Sequence, residues 1–254
     1  MIKLKTTEEI QTLREGGKRL ASILATLSSQ VKPGVKTRDL DDEARRLIKE
    51  YGDSPSFLNY RPKGARLAYP AALCVSVNDE IVHGIPSQYE IKEGDVVTLD
   101  LGLVHAGLFT DSAITLAVGE ISEEVQNLID RTKKSLDLAI AQAVVGKTVG
   151  DIGFAVEQYI KPFGYGIIED LAGHGVGYGV HEDPQIPNFG QAGTGEKLKA
   201  GMVIAIEPMI TLGTKETDLL DDEYTFVSAD GTLSAHFEHT IAITDSGPII
   251  LTAL

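Results

Sequence analysis

Four acidic residues stand at the ends of apolar, strand-like segments of the sequence. Asp100 closes one segment and Asp111 opens the next, and Glu207 and Glu238 stand at comparable places later in the chain. If a hairpin turns between residues 105 and 106, Asp100 and Asp111 are direct cross-strand neighbours, with Cβ atoms about 4.5–5.5 Å apart. Two like charges at that separation destabilise a sheet, and partial burial raises the cost. We therefore expect a cation between them.

The carboxylates of the second half indicate the nature of that cation. If the two halves pack around a pseudo-two-fold axis, four carboxylates converge, and their formal charge matches that of two divalent metal ions. Carboxylate and imidazole ligands favour Mn, Fe, Co or Zn over softer metals. Such a centre activates water and polarises a carbonyl, so hydrolysis of an amide or a phosphoester fits. A buried salt-bridge cluster is the alternative interpretation.

Three histidines lie in patterns that fit this centre. His174 stands in a segment with glycine at every second position, where a backbone or a ligand can approach closely. Val180-His181 repeats Val82-His83, so the two imidazoles are expected to face each other across the same axis. A flexible glycine loop with incidental histidines is the alternative. Two further histidines are expected at the surface or behind the ligands, His105 and His239, and His236 shares a strand face with Glu238.

A sequence repeat predicts the elements that position these residues. Several segment pairs recur in the same order, which indicates two copies of a helix–helix–strands unit, approximately 5–118 and 120–250. Each copy opens with a hydroxyl N-cap, Thr7 or Ser122, followed by two acidic residues. Helices grouped apart from hairpin strands predict an α+β fold with antiparallel strands. Because no Pro/Ser-rich linker separates the copies, we expect one catalytic domain over residues 1–254.

Composition excludes several functional classes. The chain has 254 residues, 23 Lys and Arg against 37 Asp and Glu, and a net charge of −14, which disfavours stable nucleic-acid binding. Its one cysteine, Cys74, excludes an internal disulfide and suits a reducing compartment. No apolar run approaches the roughly 18–20 residues that span a bilayer, and the first residues do not form a signal peptide. We therefore expect a cytoplasmic globular protein without membrane contact.

Taken together, the motifs resemble those of type I methionine aminopeptidases, which belong to peptidase family M24. The resemblance covers nearly the whole chain. It implies the pita-bread (creatinase/aminopeptidase) fold, with two pseudo-symmetric αβ halves around a central dinuclear metal site. The motifs that carry it are Ser76–Pro86, Asp100, Asp111, Gly173–Gly177, His181–Pro184, Glu207-Pro208 and Ser234–Thr240.

The resemblance also implies a reaction and a role for each residue. Members remove the initiator methionine from nascent proteins when the second residue is small, by attack of metal-activated hydroxide on the first peptide bond. Two divalent ions (Co, Mn, Fe or Zn) are implied, together with a monovalent cation near Asn78 and Ser234. The catalytic residues implied are His83, His181 and Glu207, and the metal ligands are Asp100, Asp111, His174, Glu207 and Glu238.

The implied methionine pocket departs from the family pattern. Tyr69, Cys74 and Tyr224 stand at pocket positions together with the two substrate-contacting histidines, and Tyr224 replaces a usual tryptophan. The segment Arg61–Leu67 is longer than the family's short connection, and its basic residues offer a place for transient ribosome contact. The implied partners are peptide or nascent-protein N-termini, and we expect a monomer.

Two other functions remain open at the sequence level. A proline-directed peptidase uses the same metal ligands, although such enzymes usually carry an additional N-terminal domain. A non-catalytic binding module could keep the fold, although such relatives lose metal ligands and this chain has all five positions.

Overall fold

The structure is a computed structural model that describes residues 2–62 and 64–254; Lys63, in the middle of the segment Arg61–Leu67, lies outside the described residues. The helices are α1 (Thr7–Ser28), α2 (Thr37–Glu50), α3 (Glu123–Ile140) and α4 (Val149–Ile160), with a 3₁₀ turn at Lys161–Phe163. The strands are β1 (Ser54–Pro55), β2 (Leu73–Val77), β3 (Glu80–Val82), β4 (Val96–His105), β5 (Leu108–Ala117), β6 (Gly166–Ile167), β7 (Gly173–Gly175), β8 (Glu182–Ile186), β9 (Val203–Ile206), β10 (Met209–Thr211), β11 (Thr217–Leu219), β12 (Phe226–Ser228), β13 (Ser234–His236), β14 (His239–Thr244) and β15 (Gly247–Ile250).

The strand pairing agrees with the predicted α+β class. One sheet has the order β1–β4–β2, with β5 also paired to β4, and a second has the order β15–β14–β9–β7–β8. Two smaller sheets, β13–β10–β6 and β11–β12–β3, lie beside them. Every strand pair among the described residues is antiparallel. The helices therefore cover sheets rather than connect parallel strands.

Helix α1 begins one residue earlier than the sequence pattern predicted. The side chain of Thr6, not of Thr7, accepts the N–H of Glu9 at 3.2 Å, and the Glu9 carboxylate accepts the N–H of Thr6 at 2.8 Å. This reciprocal pair requires a glutamate three residues after the cap, which Thr6 has and Thr7 lacks. In the second half Ser122 caps α3 as predicted, accepting the N–H of Val125 at 3.3 Å.

Each pair of helices covers its own sheet with an apolar face. Helix α1 packs on β4 and β5 and α2 on β1 and β2, while α3 packs on β9, β10 and β13 and α4 on β8. The molecule has two main cores, one under each pair of helices. Burial of these side chains is the dominant stabilising contribution to such a fold. The first core includes Leu20, Ile48, Leu73 and Leu99, and the second includes Leu128, Ile152, Ile204 and Ile241.

The hairpin β4–β5 has a different register from the one predicted. Asp100 lies opposite Ala113, and Asp111 lies opposite Gly102, so the two aspartates are diagonal rather than direct neighbours. The turn is centred on Ala106 and Gly107, with φ of 48° and 82°. Positive φ at both central residues is characteristic of a type I′ turn, whose backbone twist matches the right-handed twist of the two strands that it connects. The shift of two residues keeps both carboxylates on one face of the sheet.

Strand β5 joins the two halves through its contact with residues 236–240. The N–H of Glu238 donates to the carbonyl oxygen of Ala113 at 2.9 Å, and the N–H of Asp111 donates to Oγ1 of Thr240 at 2.9 Å. The hydroxyl of Thr240 in turn donates to the carbonyl oxygen of Asp111 at 2.8 Å. These bonds place the aspartate of one half beside the glutamate of the other.

Candidate active site

Five strands or strand ends deliver the predicted metal ligands to one place. Asp100 lies on β4, Asp111 on β5, His174 on β7, Glu207 directly after β9, and Glu238 between β13 and β14. All are buried except Glu207, which is half-buried. Every residue predicted from the sequence as a metal ligand, catalytic group or pocket residue lines one cavity of about 430 Å³.

The ligating atoms of this cluster lie close together. Oxygens of Asp111 and Glu238 and a ring nitrogen of His174 are all within 4.8 Å of one another. Nδ1 of His174 is 2.9 Å from the carbonyl oxygen of Gly175, which fixes Nδ1 as the donor and leaves the Nε2 lone pair free to bind a metal. That Nε2 is 3.5 Å from Oε1 of Glu207.

Glycine at position 175 lets the histidine strand fit against its neighbour. A Cβ atom there would lie 2.2 Å from the carbonyl oxygen of Asp183 on the adjacent strand. Any larger residue would therefore push β7 away from β8 and displace His174. Gly173 and Gly175 allow close strand packing on either side of His174, and this segment is a strand rather than a flexible loop.

The electrostatics of the cluster call for a bound cation. Burial raises the pKa of Asp100 to about 7, and burial together with the neighbouring carboxylates raises the pKa of Asp111, Glu207 and Glu238 well above the ordinary range. Among the described residues, Oδ1 of Asp100, Oδ1 of Asp111 and Oε1 of Glu238 are buried without a hydrogen-bond partner. Buried, unpaired carboxylate oxygens are costly, and oxygen-rich clusters of this kind fit hard or borderline divalent metals.

Two more histidines from the sequence prediction lie in the same cavity. The rings of His181 and His174 have centroids 4.4 Å apart, and Nδ1 of His181 is 2.8 Å from the hydroxyl of Tyr60. Burial, reinforced by His181, lowers the pKa of His83 to about 4, so this ring is neutral near pH 7. His83 has a backbone φ of 60°, a conformation that side-chain-bearing residues adopt rarely and that is concentrated at functional sites.

An apolar wall closes the other side of the cavity. Tyr69 and Tyr224 meet edge to face with ring centroids 5.2 Å apart, and both are buried beside Cys74, Phe57 and Val180. The hydroxyl of Tyr69 donates to the carbonyl oxygen of Gly84 at 3.0 Å. This wall is apolar apart from the two tyrosine hydroxyls, and a cavity wall of this kind suits an apolar ligand group.

Pro62, from the segment Arg61–Leu67, lies at the cavity rim. The hydroxyl of Tyr224 donates to the carbonyl oxygen of Leu67 at 2.6 Å, and the guanidinium of Arg66 pairs with the carboxylate of Glu223. Pro62 and Glu223 both line the cavity. The segment is thus tied to the loop that carries Tyr224.

Asn78 and Ser234 come together outside this cavity. The N–H of Ser234 donates to the carbonyl oxygen of Asn78 at 2.9 Å, and the Ser234 hydroxyl donates to the carbonyl oxygen of Glu80 at 2.8 Å. The monovalent cation predicted beside them stays a prediction.

Comparison with known proteins agrees with this geometry. Residues 11–245 match the sequence pattern of a family described as "Metallopeptidase family M24". A methionine aminopeptidase of Clostridium perfringens is 45% identical over 254 residues, which is 100% of both chains. One from Aquifex aeolicus is 46% identical over 257 residues, covering 100% of this chain and 99% of that one. The chain belongs to the methionine aminopeptidases of family M24.

Solved structures confirm the pita-bread fold that the sequence resemblance implied. The crystal structure of methionine aminopeptidase from Thermotoga maritima matches with a TM-score of 0.95 and 40% identity, over 100% of both chains. The prolidase of Pyrococcus horikoshii matches with a TM-score of 0.78 and 23% identity, over 98% of this chain and 63% of that one. The second likeness reflects a shared fold only.

These findings decide between the functions left open by the sequence. The chain is a metallopeptidase of the methionine aminopeptidase type, not a non-catalytic module, and its methionine aminopeptidase relatives match it over their whole length. No helix within residues 2–62 and 64–254 has the length and apolar character needed to cross a bilayer.

Two residues of this aminopeptidase site were not assigned a role from the sequence. Tyr60 contacts His181 across 121 residues of chain, and Nε2 of the buried His236 lies 3.6 Å from Oε2 of Glu207. The one available signal was that His236 shares a strand face with Glu238. Tyr60 carried no such signal, because its contact depends on the path of a loop.

Proposed function

We propose that this methionine aminopeptidase removes an N-terminal methionine that precedes a small second residue, with two divalent ions held at the cavity floor. The observation that carries the proposal is a buried cluster of carboxylates and imidazole facing an apolar wall within one cavity. The buried cluster, called the floor, would carry out the hydrolysis, and the apolar wall would select the side chain of the first residue. The floor consists of Asp100, Asp111, His174, Glu207 and Glu238. Mn, Fe, Co and Zn all suit the donor set.

The floor residues would hold the ions. Bound there, divalent ions lower the pKa of water and polarise the substrate carbonyl. The carboxylates would then be ionised, because the ions offset the charge that burial penalises. The proposed ligands are Asp100, Asp111, His174, Glu207 and Glu238.

The histidines and Glu207 would handle the substrate amide. The hydroxyl of Tyr60 lies 2.8 Å from Nδ1 of His181. In the tautomer in which this hydroxyl donates a hydrogen bond to Nδ1, Nε2–H would donate to the carbonyl oxygen as negative charge develops there. His83, neutral near pH 7, would orient the scissile amide. A carboxylate oxygen of Glu207 would receive the proton of the attacking water and deliver it to the departing amide nitrogen.

The apolar wall would hold the methionine side chain. A thioether makes favourable contacts with aromatic rings, and Phe57, Tyr69 and Tyr224 supply three of them around Cys74. The rim at Pro62 and Glu223 would restrict the second residue to small side chains. The two halves would work as one catalytic domain, since each supplies ligands. Monomeric state, transient ribosome contact and cytoplasmic location stay predictions.

Peptide hydrolysis by the Mn²⁺-reconstituted chain tests the proposal. We expect Met-Ala-Ser to be cleaved at its first bond, Met-Leu-Ser to be cleaved far more slowly, and Ala-Pro-Ser to resist. Preferential cleavage of Ala-Pro-Ser would overturn the substrate assignment. Equal rates for Met-Ala-Ser and Met-Leu-Ser would overturn the proposed role of the rim.

A further inference from the structure

His236 is a buried imidazole whose surroundings do not explain it. Only 1% of the surface of His236 is exposed to solvent, and neither ring nitrogen has a hydrogen-bond partner among the described residues. Its backbone is fixed: the N–H donates to Oγ1 of Thr115 at 2.9 Å, and the carbonyl oxygen accepts from that hydroxyl at 2.7 Å. An unsatisfied polar ring in a rigid position is costly, so an apolar residue would suit packing alone better.

Glu207 lies between two imidazoles, one on each carboxylate oxygen. Nε2 of His174 is 3.5 Å from Oε1, and Nε2 of His236 is 3.6 Å from Oε2. Because Nδ1 of His174 donates to the carbonyl oxygen of Gly175, the lone pair on Nε2 is available to bind a metal ion. Oε1 therefore points toward the place where His174 would bind an ion, and Oε2 points away from it.

His236 is the side chain available to orient this carboxylate. In the part of the chain that the structure describes, no lysine or arginine forms an ion pair with Glu207. The amide of Asn188 donates to the backbone carbonyl oxygen of Glu207 at 3.0 Å and so fixes the main chain, not the carboxylate. Loss of His236 would remove the imidazole that faces Oε2 and with it a restraint on rotation of the carboxylate about its terminal bond.

We propose that His236 is a positioning residue: with a divalent ion bound, its Nε2–H closes the 3.6 Å separation from Oε2 of Glu207, donates a hydrogen bond to it and directs Oε1 toward the ion that His174 also binds. This rests on the proposed metal site. Partners that orient a metal ligand typically change metal affinity about 10–100-fold when they are removed. A glutamine can also present an N–H to Oε2, whereas leucine cannot.

Calorimetric titration of Mn²⁺ into the chelator-treated full chain tests the role of His236. We expect His236→Leu to raise the Kd of the tighter site at least about tenfold, and His236→Gln to stay within about threefold of the unmodified chain. The matched control is His105→Gln, since His105 lies at the β4–β5 turn and contacts Asp53 instead. An unchanged Kd in His236→Leu would overturn the proposal.

Two additional variants keep the outcome decisive. If thermal unfolding shows that His236→Leu does not fold, His236→Asn replaces it. The asparagine amide is too short to reach Oε2 of Glu207, whereas the glutamine amide can reach it. Equal Kd values for the His236→Asn and His236→Gln variants would then overturn the proposal. Asp111→Asn is titrated in parallel. If it loses Mn²⁺ while His236→Leu does not, the metal site stands and the role of His236 fails. If Asp111→Asn binds normally, the site assignment itself fails.

Discussion

The floor and the apolar wall of the cavity differ in how far each is stable by itself. On the floor, three buried carboxylate oxygens have no hydrogen-bond partner within residues 2–62 and 64–254, and burial raises the pKa of all four carboxyl groups. On the wall, Tyr69 and Tyr224 pack edge to face and their hydroxyls donate to backbone carbonyl oxygens. The buried carboxylates of the floor therefore need bound cations to balance their charge. The aromatic residues of the wall are stable without a ligand, because their hydroxyls are already hydrogen-bonded.

This difference separates the two tasks of a methionine aminopeptidase. Substitutions of the floor carboxylates should lower metal content and kcat, because they remove the negative charge that would hold the ions. Changes on the wall should alter KM and the choice of first residue, because they remove packing area. A residue that lies between the two regions, such as Tyr60, should have a small effect on kcat alone.

The largest effect is expected from Asp111→Asn. Asp111 joins the floor from β5, and the neutral amide removes one of the charges that hold the ions. We expect methionine release to fall below detection and metal content to fall with it, while the fold is retained. Elemental analysis and a Met-Ala-Ser assay measure both, with the exposed Asp137→Asn as the matched control. A fully active, metal-replete Asp111→Asn protein would contradict the ligand assignment.

Replacement of His181 by alanine should give the next largest effect. A single donor to a developing oxyanion is worth about 3 kcal/mol, so kcat should fall about 100-fold with little change in KM or metal content. Steady-state kinetics on Met-Ala-Ser provides the measurement. An unchanged kcat would remove His181 from the mechanism.

Substitution of the wall residue Tyr224 by alanine should change specificity rather than chemistry. The enlarged pocket loses contact with the methionine side chain, and pocket contacts of this kind are worth about 1–3 kcal/mol. We expect the ratio of kcat/KM for Met-Ala-Ser over Phe-Ala-Ser to fall about tenfold, with metal content unchanged. If the ratio is unaltered, Tyr224 does not select the first residue.

The smallest effect should come from Tyr60→Phe. It removes the 2.8 Å hydrogen bond to Nδ1 of His181 but keeps the ring. A hydrogen bond of this type contributes about 1 kcal/mol, so kcat should fall about fivefold while KM is kept. Tyr51→Phe is the control, since its hydroxyl contacts Ser22 on the surface. A loss in the control as large as in Tyr60→Phe would show that the effect is not specific to His181.

The convergence of the carboxylates could be predicted from the sequence, whereas their register could not. The four carboxylates stand at repeat-related positions, but Asp100 and Asp111 lie inside β4 and β5 rather than at strand ends as predicted. Strand alternation kept the two aspartates on one face even though the turn was placed wrongly. The turn position depended on positive φ at Ala106, a residue without a strong preference for that conformation. Register errors of this kind arise because turn geometry is decided by strand twist as well as by residue type.

Contacts between distant loops lay beyond the sequence. The bond between Tyr60 and His181 depends on how the two halves dock. The approach of His236 to Glu207 depends on the pairing of β10 with β13 within the second half, where His236 lies opposite Met209. No local periodicity encodes either contact. The N-cap of α1 was misplaced for a simpler reason: Thr6 and Thr7 are both suitable caps, and the position of Glu9 decides between them.

The central claim, that the buried carboxylates work only with divalent ions, is tested most directly by one paired measurement. Metal content and methionine release from Met-Ala-Ser are determined for the same sample before chelation, after chelation, and after addition of Mn²⁺. We expect activity to disappear with the metal and to return with Mn²⁺. Full activity in the chelated, metal-free chain would contradict it.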